Sequence, residues 1–299
     1  MITSNAVIKQ ENFKVYLCMA AMSMTLGVLG TILSYYFHWG LTGTGGFLIL
    51  SGIINFYSYF FSHKLILKMS GAKPLKREQL PELFDMVEDL CRKQALPIPK
   101  IFLIDNDSMN AFATGRDKNH SVVAVTRGLL EKLELQEVRG VVAHEIAHIQ
   151  NGDMRLMTIV TIVAGFISIL ADMYWFSMRT SKADEKDRSG ALAIIGLVLS
   201  ILAPISAMLI QLAISRKREF VADALSAQMT NNPGGLSSAL EKIKRDMRPL
   251  PSAGLTMAHL YFSNPSKGGD IIDKLFSTHP PIEDRIYNLN QMKGAPQNG

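Results

Sequence analysis

Charge is what this sequence is short of. Only 19% of its 299 residues are Asp, Glu, Lys or Arg, against about a quarter in ordinary soluble domains, and residues 15–62 contain none at all. Cysteine is nearly absent as well. Cys18 and Cys91 lack CxxC spacing and do not suggest a disulfide framework, so both read as packing residues. No repeat of fixed period is visible, and no Arg-rich or aromatic-interleaved stripe occurs, which argues against nucleic acid as a partner. A cleaved signal peptide fits poorly, because the apolar run is too long and no small-residue cleavage site follows a compact core.

The uncharged stretch has room for two bilayer crossings of about 20 residues each. A glycine-rich patch at residues 40–46 divides it and reads as the turn between a first span near residues 15–37 and a second near 47–62. Two further apolar segments, 156–178 (interrupted only by Asp172) and 189–215, are also long enough to span. Asp172 and Pro204 keep open the alternative of buried core helices.

Basic residues gather on the flanks that would share one side: Lys9 and Lys14 before span one, Lys64, Lys68, Lys73, Lys76 and Arg77 after span two, and Arg216, Lys217 and Arg218 after span four. By the preference of cytoplasmic flanks for Lys and Arg, the termini and the polar mass lie inside. The net charge of +5 then reflects topology and contact with an anionic lipid bilayer. The expected organisation is a membrane hairpin (1–63), a first polar part (64–153), a second hydrophobic hairpin (154–215) and a second polar part (216–299), the two polar parts folding together.

Within the polar parts, apolar spacing predicts helices over 78–95, 135–150, 218–229, 236–247 and 282–292, and strands at 101–104, 110–114 and 121–125. The Asn151-Gly152 pair reads as the stop of the second helix. The expected fold is a mainly α membrane protein, with about four transmembrane helices and an α+β domain carrying a small antiparallel sheet.

On the 135–150 helix lies His144-Glu145-Ile146-Ala147-His148. Positions i and i+4 share a helix face, so both imidazoles can reach one Zn²⁺, and Glu145 sits where it can take a proton from metal-bound water. A catalytic zinc needs a third protein ligand. Glu219, heading Glu219-Phe220-Val221-Ala222-Asp223 directly after the fourth apolar segment, is one candidate, with Asp223 one turn further on to brace a ligand imidazole. Read from spacing alone, Glu219 after Arg216-Lys217-Arg218 is more readily an ordinary surface ion pair.

These motifs, together with Asn110-Ala111-Phe112-Ala113-Thr114-Gly115 and Ser277-Thr278-His279-Pro280-Pro281, resemble the HtpX family of bacterial membrane zinc endopeptidases and, more distantly, the CAAX prenyl endopeptidases. The likeness covers nearly the whole chain; the polar leader 1–14 is longer than the family pattern. It implies a zincin-like catalytic domain with one Zn²⁺ held by His144, His148 and Glu219, Glu145 as general base and acid, and Asp223 as the partner of a ligand imidazole. It also implies that strand Asn110, Ala111, Phe112 and Ala113 is an edge receiving substrate backbone, with His279 and Arg285 beside the anionic intermediate. The implied setting is the bacterial inner membrane, multi-pass and facing the cytoplasm, and the implied substrates are misfolded or damaged membrane proteins. His38, His63, His120 and His259 are assigned no metal role. Two other readings are an intramembrane metalloprotease, which the charges of residues 131–139 disfavour, and a non-catalytic scaffold, for which Glu145 would be superfluous.

Overall fold

The computed structural model describes residues 4–36, 38–160, 196, 216–246 and 280–293. Most of the third and fourth apolar segments, Asp172, His259 and His279 lie outside these residues.

Two long helices, α1 (Ser4–Tyr36) and α2 (Gly40–Met69), pack as an antiparallel hairpin. Their stretches Phe13–Tyr35 and Gly40–Met69 are each long and apolar enough to cross a membrane. The seam between them mixes buried Val15, Cys18, Met22 and Leu26 with polar contacts: Ser51 Oγ donates to Ser23 Oγ at 2.7 Å, and Asn55 Nδ2 donates to Met19 O at 3.1 Å and Ser23 Oγ at 2.8 Å. The outer faces expose Leu41, Ile49, Ile53, Phe56 and Tyr57. An apolar outer face over a buried side of α2 rich in Ser51, Asn55, Ser58 and Ser62 departs from the pattern of a soluble hairpin and suits a lipid surround.

Only the first residue of the glycine-rich patch takes part in the turn that the sequence places there. Residues 40–46 form the first turns of α2, and the reversal is made by His38 (φ 58°) and Gly40 (φ 62°). Helix here lets the carbonyls of residues 40–46 pair within the segment where water is scarce, which outweighs the roughly 1 kcal/mol glycine penalty per residue. The patch has a packing use, since a Cβ at Gly43 would lie 2.0 Å from Ser34 Oγ of the facing helix.

Beyond α2 come β1 (Lys73–Pro74), α3 (Pro81–Lys93), β2 (Lys100–Ile104), β3 (Ala111–Gly115), β4 (Ser121–Thr126), α4 (Arg127–Lys132) and α5 (Leu135–Asn151). After the second apolar region follow α6 (Arg216–Thr230), α7 (Pro233–Arg245) and α8 (Ile282–Met292).

The sheet is mixed, not antiparallel. Its order is β1-β2-β4-β3, with β2 and β4 parallel and β3 antiparallel to β4 on an edge. The loop after β2 carries the chain past one strand position, and Arg127 pins that loop through Asp105 at 2.9 Å and through Asp107. The hairpin then returns β4 into the gap. A parallel pair needs cover on both faces, and β4 has it. Val123 and Val125 join the core with Ile101, Ala111 and α5, while Val122 and Ala124 join Phe112, Ile66 and Leu67 at the end of α2. The sheet is thus wedged between the apolar hairpin and the rest of the polar domain. One cluster of buried side chains runs from Leu83 through α5 to Ala222, Leu240 and Leu289, so both polar parts contribute to one core.

Candidate metal centre

The helix α5 starts where Glu134 N–H donates to the Glu137 carboxylate at 2.8 Å, and Glu137 is itself held by Ser238 Oγ at 2.5 Å and Lys242 Nζ at 2.7 Å. A polar network at the first turn therefore ties α5 to α7. Ser226 Oγ of α6 donates to Gly140 O at 2.7 Å and fixes α6 alongside. This packing brings His144, Glu145 and His148 to face Glu219 and Asp223, all five buried.

The donor atoms converge. His144 Nε2 and His148 Nε2 are 3.1 Å apart, and Glu219 reaches them at 3.6 Å each, Oε2 to His144 and Oε1 to His148. A tetrahedral zinc with bonds of about 2.0–2.1 Å sets its ligands roughly 3.3–3.4 Å apart, so the triangle has the dimensions of such a site. Chemistry favours the same reading. His144 Nδ1 lies 2.9 Å from Asp223 Oδ1, and His148 Nδ1 lies 3.2 Å from both carboxylate oxygens of Asp153. A carboxylate partner assigns the proton to Nδ1 in each ring, which turns both Nε2 lone pairs toward one point. A shared cation resolves that opposition. Among the described residues, these three form a group whose donor atoms could hold one metal ion.

The surroundings separate the titrations. Burial pushes His144 down, reinforced by Arg285 and only partly opposed by Asp223. Burial would lower His148 too, but the carboxylates of Asp153, Glu219 and Glu145 overcome it and hold this imidazole well above the ordinary value. Glu145 is pushed up to about 7, chiefly by burial and further by Glu219, against the pull of His148, the Ala113 N–H and Arg285. Asp223 stays low despite its burial because Arg285 and His144 stabilise the carboxylate.

Among the residues singled out in the sequence, β3 occupies the sheet edge, and the Ala113 N–H is directed at the Glu145 carboxylate. Asn110 just precedes the strand, pairing with Thr126 through its N–H to Oγ1 (2.9 Å) and its C=O (3.0 Å). Ala111 and Phe112 are fully buried. Arg285, on α8, forks onto Asp223 and lies 3.6 Å from Glu219 Oε2. His279 lies outside the described residues. Sequence reasoning overlooked Asp153. The signal available was an acid immediately after a glycine stop, five residues past the second histidine.

The profile described as "Peptidase family M48" matches residues 77–293. The chain belongs to that family. Family M48 membership makes it a metallopeptidase, and it has two helices long and apolar enough to cross a membrane. It is 41% identical over 285 residues to "Protease HtpX homolog" of Thermoanaerobacter pseudethanolicus, covering 93% of this chain and 94% of the relative. It is 42% identical over 289 residues to the protein of that name from Dictyoglomus thermophilum, covering 95% and 93%. A third such relative, from Salinibacter ruber, is 41% identical over 294 residues, covering 96% and 100%. Among solved structures, S. mikatae Ste24p matches with a TM-score of 0.50 at 19% identity, covering 95% of this chain and 67% of that one, a likeness of fold.

Proposed function

We propose that this M48 protein is a zinc-dependent endopeptidase anchored in the bacterial inner membrane by several spans. Its site faces the cytoplasm and acts on misfolded or damaged membrane proteins. The observation that carries the catalytic part is the buried triangle of His144, His148 and Glu219 with Glu145 beside it. The orientation rests on the basic flanks Lys64, Lys68 and Arg216-Lys217-Arg218, and the substrate class on the resemblance of the sequence motifs to the HtpX family.

A Zn²⁺ held by His144, His148 and Glu219 would supply Lewis acidity toward a water and the scissile carbonyl. The chain's own groups do the rest. Glu145, held near neutrality and tethered by the Ala113 N–H, accepts a proton from the attacking water and returns it to the leaving amine. The β3 edge takes the substrate as an added strand, recognising backbone more than side chains, which suits an enzyme of broad sequence tolerance. Asp223 braces His144 and Arg285 braces Asp223. His279 is proposed to stabilise developing negative charge.

The test is cleavage of casein by the purified full chain with added zinc. Glu145→Gln should still bind the metal and cut nothing. Equal cleavage by this variant would remove the mechanism.

A further inference from the structure

Gly152 ends α5 in the left-handed conformation (φ 77°), its N–H bonded to the carbonyls of His148 and Ile149. The reversal brings the next side chain back toward the helix, so that both oxygens of Asp153 lie 3.2 Å from His148 Nδ1, with Asp153 fully buried. We propose that Asp153 is a positioning residue of the metal centre: its carboxylate holds the His148 ring so that Nε2 is presented to the cation.

This inference rests on the metal site proposed above. An imidazole turns readily about its outer torsion, and a half-turn would replace Nε2 by carbon at the ligand point. A carboxylate on Nδ1 fixes both ring orientation and tautomer and makes Nε2 a better donor. The centre then has a matched pair of braces, Asp223 on His144 from α6 and Asp153 on His148 from the end of α5 itself. The competing role for Asp153 is as a cap of the helical stretch 154–160, where its carbonyl accepts from Met157 N at 3.2 Å. Its side chain bonds His148 and not that helix.

The two roles separate in zinc affinity, measured on the full chain in detergent by competition with a chromophoric chelator. Asp153→Ala should bind zinc roughly 10–100-fold more weakly than wild type, the usual effect of removing such a brace. Asp153→Asn, which still accepts from Nδ1–H but lacks the charge, should fall between the two. A cap alone would lower the melting temperature and leave the dissociation constant where it was. Affinities of both variants within twofold of wild type would overturn the proposal, and if the alanine variant fails to fold, the asparagine variant decides by the same criterion. Wild-type protein that binds no zinc would overturn the metal site itself.

Discussion

Arg285 grips Asp223 with two hydrogen bonds, Nε to Oδ2 at 2.9 Å and Nη2 to Oδ1 at 2.6 Å, and the same Oδ1 lies 2.9 Å from His144 Nδ1. A residue of the last described helix is thereby joined through one carboxylate to a histidine of α5. Arg285 is 1% exposed. A buried charge of this kind is stable only while its partner is present.

Arg285→Ala should accordingly lose about 3–5 kcal/mol of stability, the range for breaking a buried ion pair by removing one partner. Arg285→Lys should recover only part of it, because an ammonium cannot reproduce the planar fork. Urea unfolding of the two variants against wild type checks both. Equal stability of Ala and wild type would show that the pair is not a structural tie.

Glu219→Ala should abolish tight metal binding. Glu219 alone bridges the two Nε2 atoms from α6, and two imidazoles on one helix leave a zinc site incomplete. Metal analysis after dialysis should find stoichiometry far below one zinc per chain. Undiminished stoichiometry would show that another acid is the ligand.

The raised value of Glu145 makes the chelator-treated protein sensitive to pH. Below about 4.5 the carboxyl is protonated in both folded and unfolded chains and contributes nothing. Between 4.5 and about 7 the unfolded chain releases a proton that the folded one keeps, so stability falls as pH rises; above about 7 the full cost, on the order of 3 kcal/mol, is present. Glu145→Gln lacks this cost. Its metal-free melting temperature should exceed that of wild type at pH 8, and the gain should vanish toward pH 4.5.

Asn55→Ala removes two hydrogen bonds across the apolar hairpin, to Met19 O and Ser23 Oγ. Interhelical bonds in lipid are worth about 1 kcal/mol. The variant, losing both, should be destabilised by about 1–2 kcal/mol when unfolded reversibly in bicelles. Unchanged stability would mean that close packing, as at Gly43 against Ser34, holds the helices without help from the polar seam.

Much of this was readable in sequence because its physics is local. The spacing of His144 and His148 places both on one face of a helix, and α5 forms over nearly the residues that periodicity marks, ending at the predicted Gly152. The helix of residues 282–292 coincides with α8, and β4 extends its predicted strand by one residue. The errors are contextual. Glycine signals a turn in water, whereas next to an apolar partner helix residues 40–46 keep their hydrogen bonds inside α2. Neighbouring strand signals suggest hairpins, yet the loop pinned by Arg127 sends β3 to the outer edge and leaves β4 beside β2.

What the sequence determined by itself was the pair of imidazoles, the adjacent carboxylate and the charge-free hairpin, each fixed by helix period or by the solvent that a run of side chains can tolerate. Tertiary structure decided which of the candidate groups come to stand beside the imidazoles, and added Asp153. Glu219 and Asp223 arrive from beyond a long apolar region, Arg285 from the last helix and Asp153 through a left-handed glycine turn, and side chains so placed meet only because packing of α5 against α6, α7 and α8 brings them together.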